Sequence, residues 1–355
     1  MMITTYNRSL FITVFLIIFL VGNDARLQVN AFVPSGQNIV QTTSKKTFSL
    51  ERNVPLENVG LQKKSSKNWS LANSPTGGAQ NAKFDVVRIA VTVSGTFLTW
   101  LIQRRYTNVL ASSALTLAYC MVLNKRFNQA VFCGTFAGMA SKAIIPSWQY
   151  ALGLGIFTST FYETLIEKKN AFVGVGGRLG ATAFLASLVI ALIQGTPTGL
   201  SMSSLNGSNL QKSTIFSMAL WHAIGSVFTI FLRQTDAEAN DPVKASAVVG
   251  LIGALLLEDK TAALAVYGGS FVGMSAPNRL LYGLLPSQGA GPLPSKLDVL
   301  LSFAIAGALG GAVHGASIGL NWFNGGWGGK AGLCGFLGCL IFRTLRPAAR
   351  TRTVS

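Results

Sequence analysis

Two short elements carry the same chemistry at two places in the chain. Gly176-Gly177-Arg178 and Gly328-Gly329-Lys330 each set two glycines before a cation in an apolar run. Paired glycines let the backbone bend sharply. A helix starting there presents free N–H groups and the positive end of its dipole. With Arg178 or Lys330 added, each element is a candidate substrate-binding site for a small anion. The plainer reading is a cation that snorkels and anchors its helix. Three more ionisable residues fall in apolar segments: His222, His314 and Glu163. Such groups are costly inside a membrane, and histidine titrates near neutrality. The three are therefore candidates for a proton relay, weighed against plain hydrogen bonding between helices.

Other chemistry is absent from the pattern. Cys120, Cys133, Cys334 and Cys339 lie in apolar runs, with neither metal-ligand spacing nor a disulfide framework. Gly174-Val175-Gly176-Gly177-Arg178-Leu179 puts Leu179 where a dinucleotide fingerprint has its third glycine, and no strand precedes it. There is no Walker loop, no Ser/His/Asp arrangement and no hydrolytic pair of carboxylates. The chain is expected to use no metal and no cofactor and not to be an enzyme.

The elements that must position these residues follow from composition. Of 355 residues, 50% are apolar, only 12% are charged and 38 are glycine. Mean hydropathy is +0.44. Too few polar groups exist to clothe a soluble surface of this size, which excludes a cytosolic enzyme, a disordered chain and a nucleic-acid binder. An all-α polytopic membrane protein remains, its partners being membrane lipid and a small solute; a homo-oligomer is compatible with the sequence. Ten apolar segments are expected to be transmembrane helices: 86–102, 108–124, 128–145, 149–166, 172–194, 213–233, 244–257, 261–277, 297–320 and 328–345. The seventh is short, so a half-helix stays open there. Ten crossings place fourteen basic residues on one face and six on the other. Both termini then lie on the richer face.

The first 82 residues have a different character. Residues 10–21 are an apolar run too short to span, preceded by Arg8 and followed by small residues at Val29 and Ala31. Residues 32–82 hold seven serines and six Lys/Arg against Glu51 and Glu57. The order signal peptide (1–31), then Ala31-Phe32-Val33-Pro34, then transit-peptide-like segment (32–82) resembles the bipartite presequence of secondary-plastid algae such as diatoms. The resemblance implies a plastid membrane, envelope or thylakoid, with both termini in the stroma. It also means that +5 of the formal +17 charge belongs to the presequence.

The remaining chain resembles itself. FCGTFAGMAS (132–141) aligns with YGGSFVGMSA (267–276) at an offset of 135, and GGRLGATAF (176–184) with GGKAGLCGF (328–336) at an offset of 152. WLIQRR (100–105) lies opposite IFLRQT (230–235), Ala111-Ser112 opposite Ala245-Ser246, and Tyr162 opposite His314. The expectation is a membrane repeat over 83–194, a linker at 195–212, a second repeat over 213–345 with an insertion at 277–296, and a basic tail at 346–355. Five helices is an odd number, so the second copy would insert upside down, as in many transporters; if the weak second and seventh segments do not cross, each unit has four spans and the repeats are parallel. Gly134/Gly138 and Gly269/Gly273, with Gly307, Gly311, Gly315 and Gly319, are expected to serve helix packing. The leading functional expectation is a transporter or channel for a small solute, with an anion favoured. The alternative is a membrane protein that assembles or anchors a plastid complex; a lipid-acting enzyme ranks third.

Overall fold

A computed structural model of the chain describes residues 85–196, 211–235, 240–282 and 295–352. The signal and transit segments, most of the 195–212 linker, much of the 277–296 insertion and the last residues of the tail lie outside them. Among the described residues the fold is all-helical. The helices are α1 (Val86–Ile102), α2 (Asn108–Val122), α3 (Asn128–Gly138), α4 (Trp148–Phe161), α5 (Arg178–Ile193) and α6 (Lys212–Thr235). Then come α7 (Pro242–Leu256), α8 (Lys260–Gly273), the short α9 (Pro277–Tyr282), α10 (Lys296–Gly319) and α11 (Trp327–Arg352).

Helix starts are written in the sequence. Asp85 accepts from the N–H groups of Val87 and Arg88, Thr107 from Leu110, Asp241 from Val243 and Asp259 from Thr261. Pro242 occupies the first turn of α7, where its missing N–H costs nothing. Ser295 and Asp298 close a capping box on α10.

Every one of the ten apolar segments contains a helix, but the expectation of about ten full spans is corrected. Among the described residues, only α6 and α10, 24 residues each, are both long and apolar enough to cross a membrane by length and composition. α1, α2, α5 and α7 are apolar but 15–17 residues long. At 1.5 Å per residue they rise about 23–26 Å, against about 30 Å of hydrocarbon. Apolar composition runs on past points where the backbone turns. The segment 172–194 is helical only from Arg178, because Phe172, Gly174 and Gly177 adopt left-handed φ of 53°, 77° and 81°. The segment 149–166 is α-helical to Phe161 and then widens into a π-type turn over Tyr162–Lys168.

The chain shuttles between two ends of the bundle. Gln103, just past α1, donates to the carbonyls of Gly138 (2.8 Å), the last residue of α3, and Ala140 (2.9 Å) beyond it. Arg233 near the end of α6 donates in the same way to Gly273 (2.8 Å), the last residue of α8, and Ser275 (2.9 Å) beyond it. α1 packs on α3 through glycine, since a Cβ at Gly134 or Gly138 would overlap the carbonyls of Thr92 or Thr96. α6 packs on α8 likewise, with Gly269 against His222 and Gly273 against Ser226. Gly307, Gly311 and Gly315 seat α10 on α6, antiparallel, against Ala223, Ala219 and Ile215. Gly319 ends α10.

α5 and α11 also cross antiparallel. Gly180 meets Gly332 at the crossing, Gly177 meets Phe336 on one side, and Gly329 meets Phe184 on the other. At the bundle centre Phe132 and Phe136 of α3 interlock with Tyr267 and Phe271 of α8. The rings of Phe136 and Phe271 stand edge-on, 4.2 Å apart. All four are fully buried.

Candidate functional site

The Gly-Gly-cation elements are the ends of two matching loops. Asn170, Phe172 and Gly174 have φ of 46°, 53° and 77°; Asn321, Phe323 and Gly325 have 56°, 49° and 94°. Left-handed φ is unfavourable for a phenylalanine, and each ring is held by a partner. Phe172 stands edge-on to Phe336 at 4.9 Å, and Phe323 edge-on to Phe184 at 5.1 Å. The carbonyl of Gly174 accepts from the N–H of Ala276, and that of Gly325 from the N–H of Ser141, both at 2.8 Å. Gly176 packs on the carbonyl of Phe271, and Gly328 on that of Phe136.

Both cations are already engaged, Lys330 by its own loop and Arg178 by its loop and α3. Arg178 donates to the carbonyl of Ala171 (3.4 Å) and to Gln129 Oε1 (2.9 Å). Lys330, fully buried, donates from Nζ to the carbonyl of Trp322 (3.0 Å) and lies 5.5 Å from the Trp327 ring. The expected solute site is thus made of groups already engaged: Gly176, Gly177, Gly328 and Gly329 fill helix contacts, and the cations clasp loops. No contact joins Arg178 to Lys330.

Of the three relay candidates, two meet. His222 on α6 and His314 on α10 are fully buried, with His222 Nε2 and His314 Nδ1 3.0 Å apart. Glu163 lies elsewhere. It takes a two-point ion pair from Arg88, Nε to Oε1 at 2.7 Å and Nη2 to Oε2 at 3.0 Å. Glu167 and Asp85 flank the same guanidinium at 3.5 and 3.9 Å. Tyr162 donates to Glu167 (2.8 Å). The four cysteines are buried and free.

A cavity of about 390 Å³ opens at the end of the bundle where α1 finishes and α8 begins. Arg104, Lys142 and Lys260 line it, with Gln103, Asn108, Ser141 and Thr261 and the apolar Trp100, Ile318 and Trp327. The Arg104 guanidinium stacks on Trp100 at 3.9 Å, a cation–π contact that fixes a cation at the rim. Three cations and no carboxylate line this cavity, so its field favours anions.

Sequence reasoning did not single out Arg88, the Gln103/Arg233 brackets or these cationic rim residues as a site. A signal for the loops was present: Asn-x-Phe-x-Gly occurs at 170–174 and at 321–325. Compared with protein-family models, curated proteins and solved structures, the chain matches none.

Proposed function

We propose that the chain is an integral membrane protein of a plastid, built of two five-helix repeats of opposite insertion, that moves a small anion. The reciprocity of the loop contacts carries the repeat reading. Gly177 and Phe336 exchange roles with Gly329 and Phe184; Gly174 and Ala276 with Gly325 and Ser141; Gly176 and Phe271 with Gly328 and Phe136. Contacts swapped about one crossing imply a twofold axis. Because α5 and α11 run antiparallel there, the axis lies across the helices, and one copy is inverted relative to the other.

The distribution of surfaces supports a lipid environment. Phe216, Leu220, Ile224 and Phe231 form an exposed apolar stripe on α6, and Leu297, Leu301 and Ile305 form another on α10. Polar groups are turned inward, among them Thr92, Thr96, Thr99, Ser112, Ser246, His222 and His314. That arrangement inverts a soluble protein's. Shorter helices are accommodated by local bilayer thinning and by tilt of the longer ones. Topology is testable by labelling. With the native cysteines buried, Lys125→Cys and Lys244→Cys should react with an impermeant maleimide from one side of sealed vesicles, and Lys142→Cys and Lys260→Cys from the other. Reaction of all four from the same side overturns the inverted arrangement.

The cationic cavity supports an anion as solute. In liposomes holding the full chain, flux of chloride, phosphate or bicarbonate is expected. Neutralising Arg104, Lys142 and Lys260 together to Gln should lower that flux about tenfold, the scale of electrostatic focusing in a charged cleft. Equal flux in the triple variant removes the cavity from the pathway. One observation favours a second reading, an assembly protein: the buried Phe132, Phe136, Tyr267 and Phe271 close the bundle centre. No flux of any of the three anions selects that reading.

A further inference from the structure

The histidine pair has no equivalent in the first half of the chain. At the offsets that align the halves, His222 stands opposite Thr92, His314 opposite Tyr162 and Gly268 opposite Cys133. In the first half these polar groups are all satisfied. Thr92 donates to the carbonyl of Arg88, Tyr162 to Glu167 and Cys133 to the carbonyl of Leu179. In the second half, glycine at 268 leaves the room that a side chain would take. A Cβ there would come within 2.8 Å of His222 Cε1 and 3.0 Å of Nε2. Among the described residues, His222 Nδ1 and His314 Nε2, both buried, have no hydrogen-bond partner. A buried unpaired nitrogen is costly, so two at the far ends of one hydrogen-bonded pair point to a group that exchanges there.

We propose that His222 and His314 form a proton-relay dyad through which solute movement is coupled to protons. The proposal rests on the transport reading above. In the neutral dyad one proton lies in the shared bond and another on one outer nitrogen; the second outer nitrogen is bare. A proton binds the bare nitrogen, the shared proton crosses to the other ring, and the far ring releases its outer proton. The dyad returns to neutral with its tautomers exchanged. Repeating the step in the same direction requires both rings to reset in the glycine-lined space between α6, α8 and α10. That requirement ties each proton passed to one conformational turnover.

The cavity comes within one helical turn of the dyad along α10. Ile318, one turn beyond His314 on α10, lines the cavity, as does Trp327, whose ring lies 5.5 Å from the Lys330 ammonium. Lys330 on α11 is the cation whose charge reaches His314. From α8 the dyad is met by Gly268 and Gly269, which carry no titratable group.

The test uses the full chain in liposomes loaded with a pH-sensitive dye, with a chloride, phosphate or bicarbonate gradient as driving force. Wild type should change the internal pH as the anion moves. His222→Gln and His314→Gln should each lower the ratio of protons to anions about a hundredfold or more, the lower end for loss of a positioned proton-transfer group. Gly268→Ala keeps both imidazoles, presses on the His222 ring and should lower the ratio too; it carries the comparison if a Gln variant fails to fold. An unchanged ratio in the folded variants overturns the relay, as does anion flux without proton movement in wild type. If no anion moves, the transport reading fails, and a potassium diffusion potential set with valinomycin becomes the driving force. Proton influx equal to that of empty liposomes then overturns the relay as well. Influx above that level, lost in the histidine variants, supports the dyad by itself.

Discussion

Gly180→Val is expected to destabilise the protein by more than about 3 kcal/mol, the upper end for overpacking a core. The new Cβ would overlap the Gly332 backbone at the α5–α11 crossing. A clash with a flexible side chain is relieved by rotation; backbone on backbone is relieved only by separating the helices. Separation would also draw Gly177 from Phe336 and Gly329 from Phe184, the contacts on which both loops close. Gly153→Ala on α4 is the matched control. Its Cβ would meet only Ile190 Cδ1, at an ordinary 3.6 Å. Relieved of glycine's conformational freedom, α4 should gain about 0.5–1 kcal/mol. Thermal unfolding midpoints in detergent should therefore move in opposite directions for two glycine substitutions in neighbouring helices. A Gly180→Val protein as stable as wild type would mean that the crossing is not a tight one.

Arg88→Met is expected to cost about 3–5 kcal/mol, because it strands the Glu163 carboxylate, 1% exposed, without its partner. Glu163→Gln should cost less, since Arg88 is 17% exposed and keeps Glu167 and Asp85 beside it. The double variant should be more stable than Arg88→Met alone. The chain itself motivates that expectation: at the aligning offsets Arg88 stands opposite Met218 and Glu163 opposite Gly315. The second half packs α6 on α10 there with no charge. A double-mutant cycle on thermal or denaturant unfolding should give a coupling energy of about 1–3 kcal/mol. Additive losses would show the two charges to be independent.

Legibility in the sequence depended on how local each signal is. Glycines spaced four apart with matching flanks, Gly134/Gly138 and Gly269/Gly273, revealed both their helices and their packing role, because the pattern lies within one element. Helix starts were equally local, written in Asp85, Thr107, Asp241 and Asp259. Helix ends were not. Apolar composition continues through the Gly174–Gly177 bend and past Gly138, so two segments read as long spans hold helices of 16 and 11 residues.

Pairings across long separations were the least visible. Arg88 and Glu163 lie 75 positions apart, and Arg88 reads as an ordinary flanking charge. His222 and His314, 92 positions apart, were legible as relay candidates together with Glu163; that only the two histidines meet was not. The matching loops were hidden by a slip of one residue. Their Asn-x-Phe-x-Gly motifs align at an offset of 151, the helices that follow them at 152.

The carbonyl of Gly174 takes its hydrogen bond from Ala276, and that of Gly325 from Ser141. Each half thus holds the socket for the other's loop and none for its own. A half made alone would carry an unhoused loop beside an empty socket, and a second copy inserted the other way up would fill both. On the repeat reading proposed above, joining two such copies in one chain replaces an encounter between molecules with an effective concentration set by the linker. It also frees the copies from identity. A self-pairing half must accept every substitution twice, whereas a tethered one can change by itself. On that reading the halves differ where His222 stands opposite Thr92 and His314 opposite Tyr162, and share the sockets.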